Sequence, residues 1–130
     1  MGETIGAGGL QFLLENRIVR EDGGPSLQVL AEVEQQVVQL LRFDMFYKQP
    51  HYHYDPNGQN VRYNLDPLAV DDGIGWVMSL LRSKLTQLVA KAGQDGLLSS
   101  EANMAVLASL PFIEARWRAQ EPAGVMNAGN

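Results

Sequence analysis

The chain lacks cysteine altogether among its 130 residues. Thiolate metal sites, cysteine nucleophiles and disulfide bridges are therefore excluded. An apolar fraction of 45% in a chain of this length is enough to build a hydrophobic core without such cross-links. We expect a globular protein in a compartment where disulfides are rare, which favours the cytoplasm.

The chain also lacks an excess of positive charge and any long apolar run. Its net charge is −5 and its sequence pI is near 4.9, so the charge argues against nucleic acid as a partner. No apolar run is long enough to span a bilayer, and residues 1–10 lack the positive start and apolar stretch of a signal peptide. We therefore predict an acidic cytoplasmic protein with no membrane partner.

The familiar catalytic motifs are missing as well. The chain has no nucleophile elbow, no HExxH helix and no Ser-His-Asp order, so the standard hydrolase signatures fail. The glycine-rich residues 6–9 follow no predicted strand and precede no Lys-Ser or Lys-Thr, so they do not form a phosphate loop. Enzymatic activity is therefore not the first hypothesis.

The most informative segment that is present covers residues 50–58, with the sequence PHYHYDPNG. It holds both histidines of the protein and two of its four tyrosines, and a third tyrosine follows in the segment NVRYNL at 60–65. Alternating side chains around Asn-Gly predict a β-hairpin. Because side chains alternate along a strand, the histidines fall on one face and the tyrosines on the other.

Two turns can close this hairpin. A two-residue turn at 57–58 pairs His53 with Arg62, whereas a three-residue loop at 56–58 pairs His53 with Val61. The first turn places these side chains together on an apolar face: Tyr52, Tyr54, Val61, Tyr63 and Leu65. We prefer it because the other register would mix apolar and polar side chains.

Alternation of apolar and polar residues predicts three strands before the hairpin, at about 10–20, 27–33 and 37–47. We expect turns at 22–25 and 34–36. Residues 1–9 are small and rich in glycine, and we predict a flexible N-terminal arm there.

Helical spacing begins after the hairpin. Asp71 or Asp72 can cap a first helix that stops at Gly93, and Ser99 or Ser100 can open a second one. Pro111 predicts a break in that second helix, with a new segment after it. The fold class is therefore α+β: an antiparallel β-meander of four to five strands followed by two to three helices packed on one sheet face. We assign a single domain to residues 10–120 and a disordered tail to residues 121–130.

The polar face of the hairpin is the candidate site, with His51, His53, Asp55 and Arg62 as its residues. Imidazole and carboxylate together suit zinc, iron, nickel or manganese, so the first three are candidate metal ligands. A histidine base beside Arg62 would instead suit an anionic or phosphorylated ligand. The simplest interpretation is a solvated strand face, and we predict no bound cofactor, with a divalent metal as the alternative.

The hairpin also carries a resemblance. The motif Tyr-His…Gly…Arg-Tyr-Asn within residues 50–67 resembles a segment of small bacterial TumE-type toxin components, and this likeness implies an effector that acts on nucleic acid. The chain as a whole resembles a small bacterial domain family of unknown function.

Two functions follow as hypotheses. The first is a non-enzymatic interaction module that forms a homodimer, or binds another protein, through an open sheet face or edge. The second is a small enzyme or toxin-like effector that acts on nucleic acid or a phosphorylated ligand through the polar hairpin face of His51, His53, Asp55 and Arg62.

Overall fold

The computed structural model of the protein describes residues 2–120, which form a sheet followed by helices. The tail predicted at residues 121–130 lies outside the described residues. The elements are, in chain order, β1 (Glu3–Ala7), β2 (Leu10–Val19), β3 (Asp22–Val33), β4 (Gln36–Asp44), β5 (His51–Tyr54), β6 (Val61–Asn64), α1 (Gly73–Val89) and α2 (Ser100–Arg118). A π-helical turn, Ala90–Gln94, directly follows α1. Within these residues, neither helix is long and apolar enough to cross a membrane.

The strands form one sheet in the order β1-β2-β3-β4-β5-β6, and each neighbouring pair is antiparallel. The predicted α+β class and the meander are confirmed, but the sheet has six strands rather than four or five. The additional strand is β1, in the segment where the sequence predicted only an arm. Two glycines of this segment form the turn between β1 and β2. Gly8 and Gly9 have φ of +59° and +82°, which residues other than glycine rarely adopt. A side chain at Gly8 would also clash with the Ala102 carbonyl of α2.

The first long hairpin turns at a different place from the one predicted. Val19 pairs with Asp22, so Arg20 and Glu21 form the turn between β2 and β3. Residues 22–25, predicted as a turn, belong to β3 instead. The prediction was wrong because glycine is needed here for close packing and not for a turn. A Cβ atom at Gly23 would lie 2.6 Å from the carbonyl oxygen of Arg17 on the neighbouring strand.

The core lies between one sheet face and the two helices. Its fully buried large side chains include Phe12, Leu27, Phe43, Ile74, Met78, Leu81, Leu110 and Trp117. In β2 the buried residues occupy every second position, as Leu10, Phe12 and Leu14 do, and those of α1 and α2 follow helical spacing. Within residues 2–120, no helix packs on the opposite sheet face, and polar side chains lie there.

The helix starts agree with the sequence, whereas the predicted break does not. The Asp72 carboxylate accepts from Gly75 N at 3.1 Å, and Ser99 Oγ accepts from Ala102 N at 3.0 Å. Pro111, however, lies inside an unbroken α2. The proline removes one backbone hydrogen bond, but Leu110 and Ile113 beside it are fully buried against the core, which holds the helix together through this position.

A candidate metal centre on the helix-free sheet face

The hairpin of β5 and β6 has the predicted register. Tyr54 pairs with Val61 and His53 with Arg62. The connection is longer than a two-residue turn, since it covers residues 55–60. Asp55 and Asn60 adopt left-handed backbone conformations at its two ends, with φ of +49° and +50°, and the Asp55 carbonyl accepts from Asn60 N at 2.7 Å. Asp55 therefore belongs to the loop and not to the strand face.

The adjacent strand β4 supplies the carboxylate that faces the histidines. Asp44 pairs with His51, and Arg42 pairs with His53. These side chains lie on the helix-free face, yet Asp44, His51 and His53 are only 1%, 7% and 4% exposed. Phe46 covers His51 edge-on, with ring centroids 5.6 Å apart. We call Asp44, His51 and His53 the ligand cluster.

Asp44 accepts hydrogen bonds on both carboxylate oxygens. Ser26 Oγ donates to Oδ1 at 2.8 Å, and Arg42 Nε donates to Oδ2 at 3.0 Å. Burial by itself would raise the pKa of Asp44, but the hydrogen bonds from His51 and Ser26 and the charge of Arg42 outweigh it and lower the pKa to about 2. The carboxylate is therefore ionised at neutral pH.

His51 lies between two oxygen atoms. Its Nδ1 is 3.0 Å from the Gln49 carbonyl oxygen, which can only accept, so Nδ1 carries a proton. Its Nε2 is 3.2 Å from Asp44 Oδ2, which in the ionised carboxylate also only accepts. A lone pair on Nε2 would be repelled by that oxygen. A cation shared by the two atoms would remove this repulsion.

His53 is held in the neutral form. Its Nδ1 is 2.8 Å from Asn60 Oδ1, and its Nε2 is 3.2 Å from Arg42 Nη2. Burial lowers the pKa of His53, and the charges of Arg42 and His51 lower it further. With Nδ1 donating to Asn60, Nε2 carries the lone pair that accepts from Arg42.

The loop between β4 and β5 orients His51 through a residue that the sequence analysis did not single out. The Asp22 carboxylate accepts from Lys48 N and from Gln49 N, each at 3.0 Å. These two bonds fix the peptide that presents the Gln49 carbonyl to His51. Asp22 stands in the segment predicted as a turn, and a turn aspartate gives no sign that it binds backbone 27 residues away.

The four residues predicted from the sequence separate into two groups. His51 and His53 lie together, as the alternation predicted, and their rings are 5.1 Å apart. Arg62 lies at the exposed edge of the sheet, where its Nε donates to Asn64 Oδ1 at 2.8 Å. Asp55 accepts from Gln59 N at 2.9 Å within its own loop. Asp44 and Arg42 lie beside the histidines, where the sequence analysis predicted Asp55 and Arg62.

The ligand cluster has the composition of a metal site, and the two distances from Asp44 to the histidines fit one. One nitrogen of each histidine and one Asp44 oxygen all lie within 4.8 Å of one another. Two ligands that each lie about 2.1 Å from one ion can be at most about 4.2 Å apart. The distances from Asp44 Oδ2 to the Nε2 atoms, 3.2 Å and 3.9 Å, fall inside that limit.

A cavity of about 530 Å³ lies elsewhere on the molecule. Phe46, Pro50, Gly73 and Arg118 are among its lining residues, but no member of the ligand cluster lines it. The cavity is therefore separate from the ligand cluster.

Comparison with known proteins gives one match. A family model described as a domain of unknown function, DUF7700, matches residues 4–116. The chain belongs to this family. Neither the curated proteins nor the solved structures contain a match. The DUF7700 match covers all of the sheet except Glu3 and nearly all of α2, so it includes every residue of the ligand cluster.

Proposed function

We propose that this DUF7700 chain is a metal-binding domain in which Asp44, His51 and His53 hold one divalent transition-metal ion. The observation that carries the proposal is the orientation of the two imidazoles. Each Nδ1 faces an oxygen acceptor, and each Nε2 lies toward Asp44 Oδ2, at 3.2 Å for His51 and 3.9 Å for His53, where Arg42 also donates to the His53 nitrogen.

This orientation is the one that metal-binding histidines show. A ligating histidine nearly always donates its other ring nitrogen to a carbonyl, a carboxylate or a water, which fixes the tautomer and aims the lone pair. Gln49 and Asn60 provide such acceptors here. Ser26 performs the equivalent task for Asp44 by binding the oxygen that faces away from the histidines.

The donor set narrows the choice of metal. Two imidazoles and one carboxylate suit zinc, iron, manganese or nickel, and the lack of cysteine removes the soft ligands that favour Cu(I). Three protein ligands leave coordination positions for water or for a small ligand. The burial of the cluster limits access to small species.

The proposal takes up the metal alternative of the sequence analysis and replaces Asp55 with Asp44 as the carboxylate ligand. The predicted interaction with a second copy or another protein stays a separate prediction. The resemblance of residues 50–67 to TumE-type components also stays a prediction, and no contact of the ligand cluster depends on it.

Metal binding can be tested by stripping the protein with a chelator and reloading it with Zn²⁺, Fe²⁺, Mn²⁺ or Ni²⁺. We expect native mass spectrometry to show one ion per chain for at least one metal, and the melting temperature to rise with metal concentration, since binding stabilises the folded state. The double variant His51→Ala/His53→Ala should bind no ion.

Asp44→Asn provides a finer variant, because the amide keeps the shape of the side chain but removes its charge. It should weaken binding at least tenfold, whereas Asp71→Asn, an exposed change with the same loss of charge, should not. Absence of stoichiometric binding for all four metals would contradict the proposal and leave the cluster as a hydrogen-bonded network that links β4 to β5.

A further inference from the structure

Two arginines surround the single carboxylate of the ligand cluster, so positive charges outnumber negative ones there. Arg42 Nε is 3.0 Å from Asp44 Oδ2, and an Arg17 guanidinium nitrogen is 3.5 Å from Oδ1. One carboxylate thus faces two guanidinium groups before any metal is added. A divalent ion would bring the local formal charge to +3, which a poorly hydrated site does not tolerate without an anion.

Arg42 also occupies the position that the ion would need. Its guanidinium contacts Asp44 Oδ2 and His53 Nε2, which are two of the three proposed ligand atoms. An ion about 2.1 Å from both atoms would displace it. The Arg42 side chain is 29% exposed on the helix-free face, so it has a path toward solvent that keeps it beside the ion.

We infer that the metal centre takes a small carboxylate anion as its co-ligand, bound between the ion and the guanidinium groups of Arg42 and Arg17. This inference rests on the proposed metal site. A planar carboxylate matches the fork of a guanidinium and can ligate a metal through the same group. The near-complete burial of the cluster argues against a large anion, and acetate is the simplest carboxylate with which to test the site.

Arg42 then has two roles with opposite effects. In the metal-free protein, Arg42 forms the ion pair with Asp44, so an incoming metal ion must displace it. With metal it binds the anion. Removal of its charge should therefore strengthen metal binding and weaken anion binding, a combination that a purely structural arginine would not produce.

Cobalt(II) is a suitable probe because its visible absorption reports a change of ligands. We would titrate the Co²⁺-loaded protein with sodium acetate, with perchlorate holding the ionic strength constant. The wild-type protein should show a saturable spectral change. In Arg42→Gln, the Co²⁺ affinity should rise about tenfold and the acetate affinity should fall about tenfold.

Two further variants separate the effects. Arg62→Gln removes the same charge from the exposed edge of the same sheet face and should change neither affinity. Arg17→Gln should weaken acetate binding with a smaller effect on Co²⁺, because Arg17 contacts the other Asp44 oxygen. This variant also tests the inference if Arg42→Gln does not fold.

Bound Co²⁺ with no saturable response to acetate would overturn the anion site and leave the metal site standing. Weaker Co²⁺ binding in Arg42→Gln would overturn the competition between the arginine and the ion. A wild-type protein that binds neither Co²⁺ nor any of the four metals tested above would overturn the metal site itself, and the anion site with it.

Discussion

At the scale of single residues, the central feature is a buried carboxylate surrounded by hydrogen-bond donors. Asp44 is 1% exposed and meets Ser26, Arg17, Arg42 and His51 within 3.5 Å. A buried charge is tolerated only when such partners replace its water shell. Each partner therefore contributes to the stability of the fold as well as to the shape of the site.

Ser26→Ala tests this contribution directly. The change removes a fully buried hydrogen bond to an ionised oxygen, so we expect it to lower the free energy of unfolding by about 1–3 kcal/mol. Ser83→Ala is the matched control, because Ser83 Oγ is exposed and binds a carbonyl of its own helix, and it should cost less than about 0.5 kcal/mol. Urea unfolding of metal-free protein measures both, and equal effects would contradict the importance of this bond.

At the scale of elements, the four residues of β5 face two different environments. His51 and His53 face the ligand cluster, while Tyr52 on the other side stacks on Phe43 and on Tyr63, with 5.5 Å between ring centroids in each pair. A one-residue slip of β5 would exchange these sets. The aromatic stack therefore fixes the register on which the histidine geometry depends.

The two helices are linked by an ion pair at the start of α1. Arg118, the last residue of α2, donates to the Asp72 carboxylate at 2.7 Å and 3.1 Å. The bond from Arg118 is the main cause that lowers the pKa of Asp72 below its usual 3.8. Because the folded-state pKa is lowered, the stabilisation is present above pH 3.8 and is lost as the pH falls through the lowered value.

Asp72→Asn isolates this pair, since an asparagine can still cap α1. At neutral pH, we expect the variant to be less stable than the wild type by roughly 0.5 kcal/mol, as is usual for an exposed pair. The difference should shrink toward zero as the pH falls below 3.8. Melting curves across pH measure it, with Asp71→Asn as the control, and a difference that grows in acid would have the wrong sign.

At the scale of the whole molecule, the sheet ends in two edge strands, β1 and β6, within the described residues. Edge strands offer unpaired backbone groups to another chain. The predicted homodimer therefore stays a prediction, and we expect light scattering to give twice the 14.3 kDa chain mass at micromolar concentration. A monomer mass across a dilution series would contradict it.

Much of this architecture could be predicted from local patterns. The tyrosine and histidine alternation indicated the β5–β6 register, and Asp72 and Ser99 indicated the helix starts. The partner of His51 could not be predicted, because β4 and β5 are joined by residues 45–50, which contain no turn signal that fixes a register. Asp44 was recognisable as a polar residue on that face, but only pairing across this loop brings it opposite His51.

The order of elements along the chain has a consequence for synthesis on the ribosome. Every group that contacts the two histidine rings lies between residues 42 and 60, and the other Asp44 partners, Arg17 and Ser26, come earlier still. The helices that cover the apolar sheet face come last. A nascent chain that has not yet reached residue 73 therefore has all the residues of the ligand cluster but no helices over its apolar sheet face, and we expect it to be most prone to aggregation in this interval.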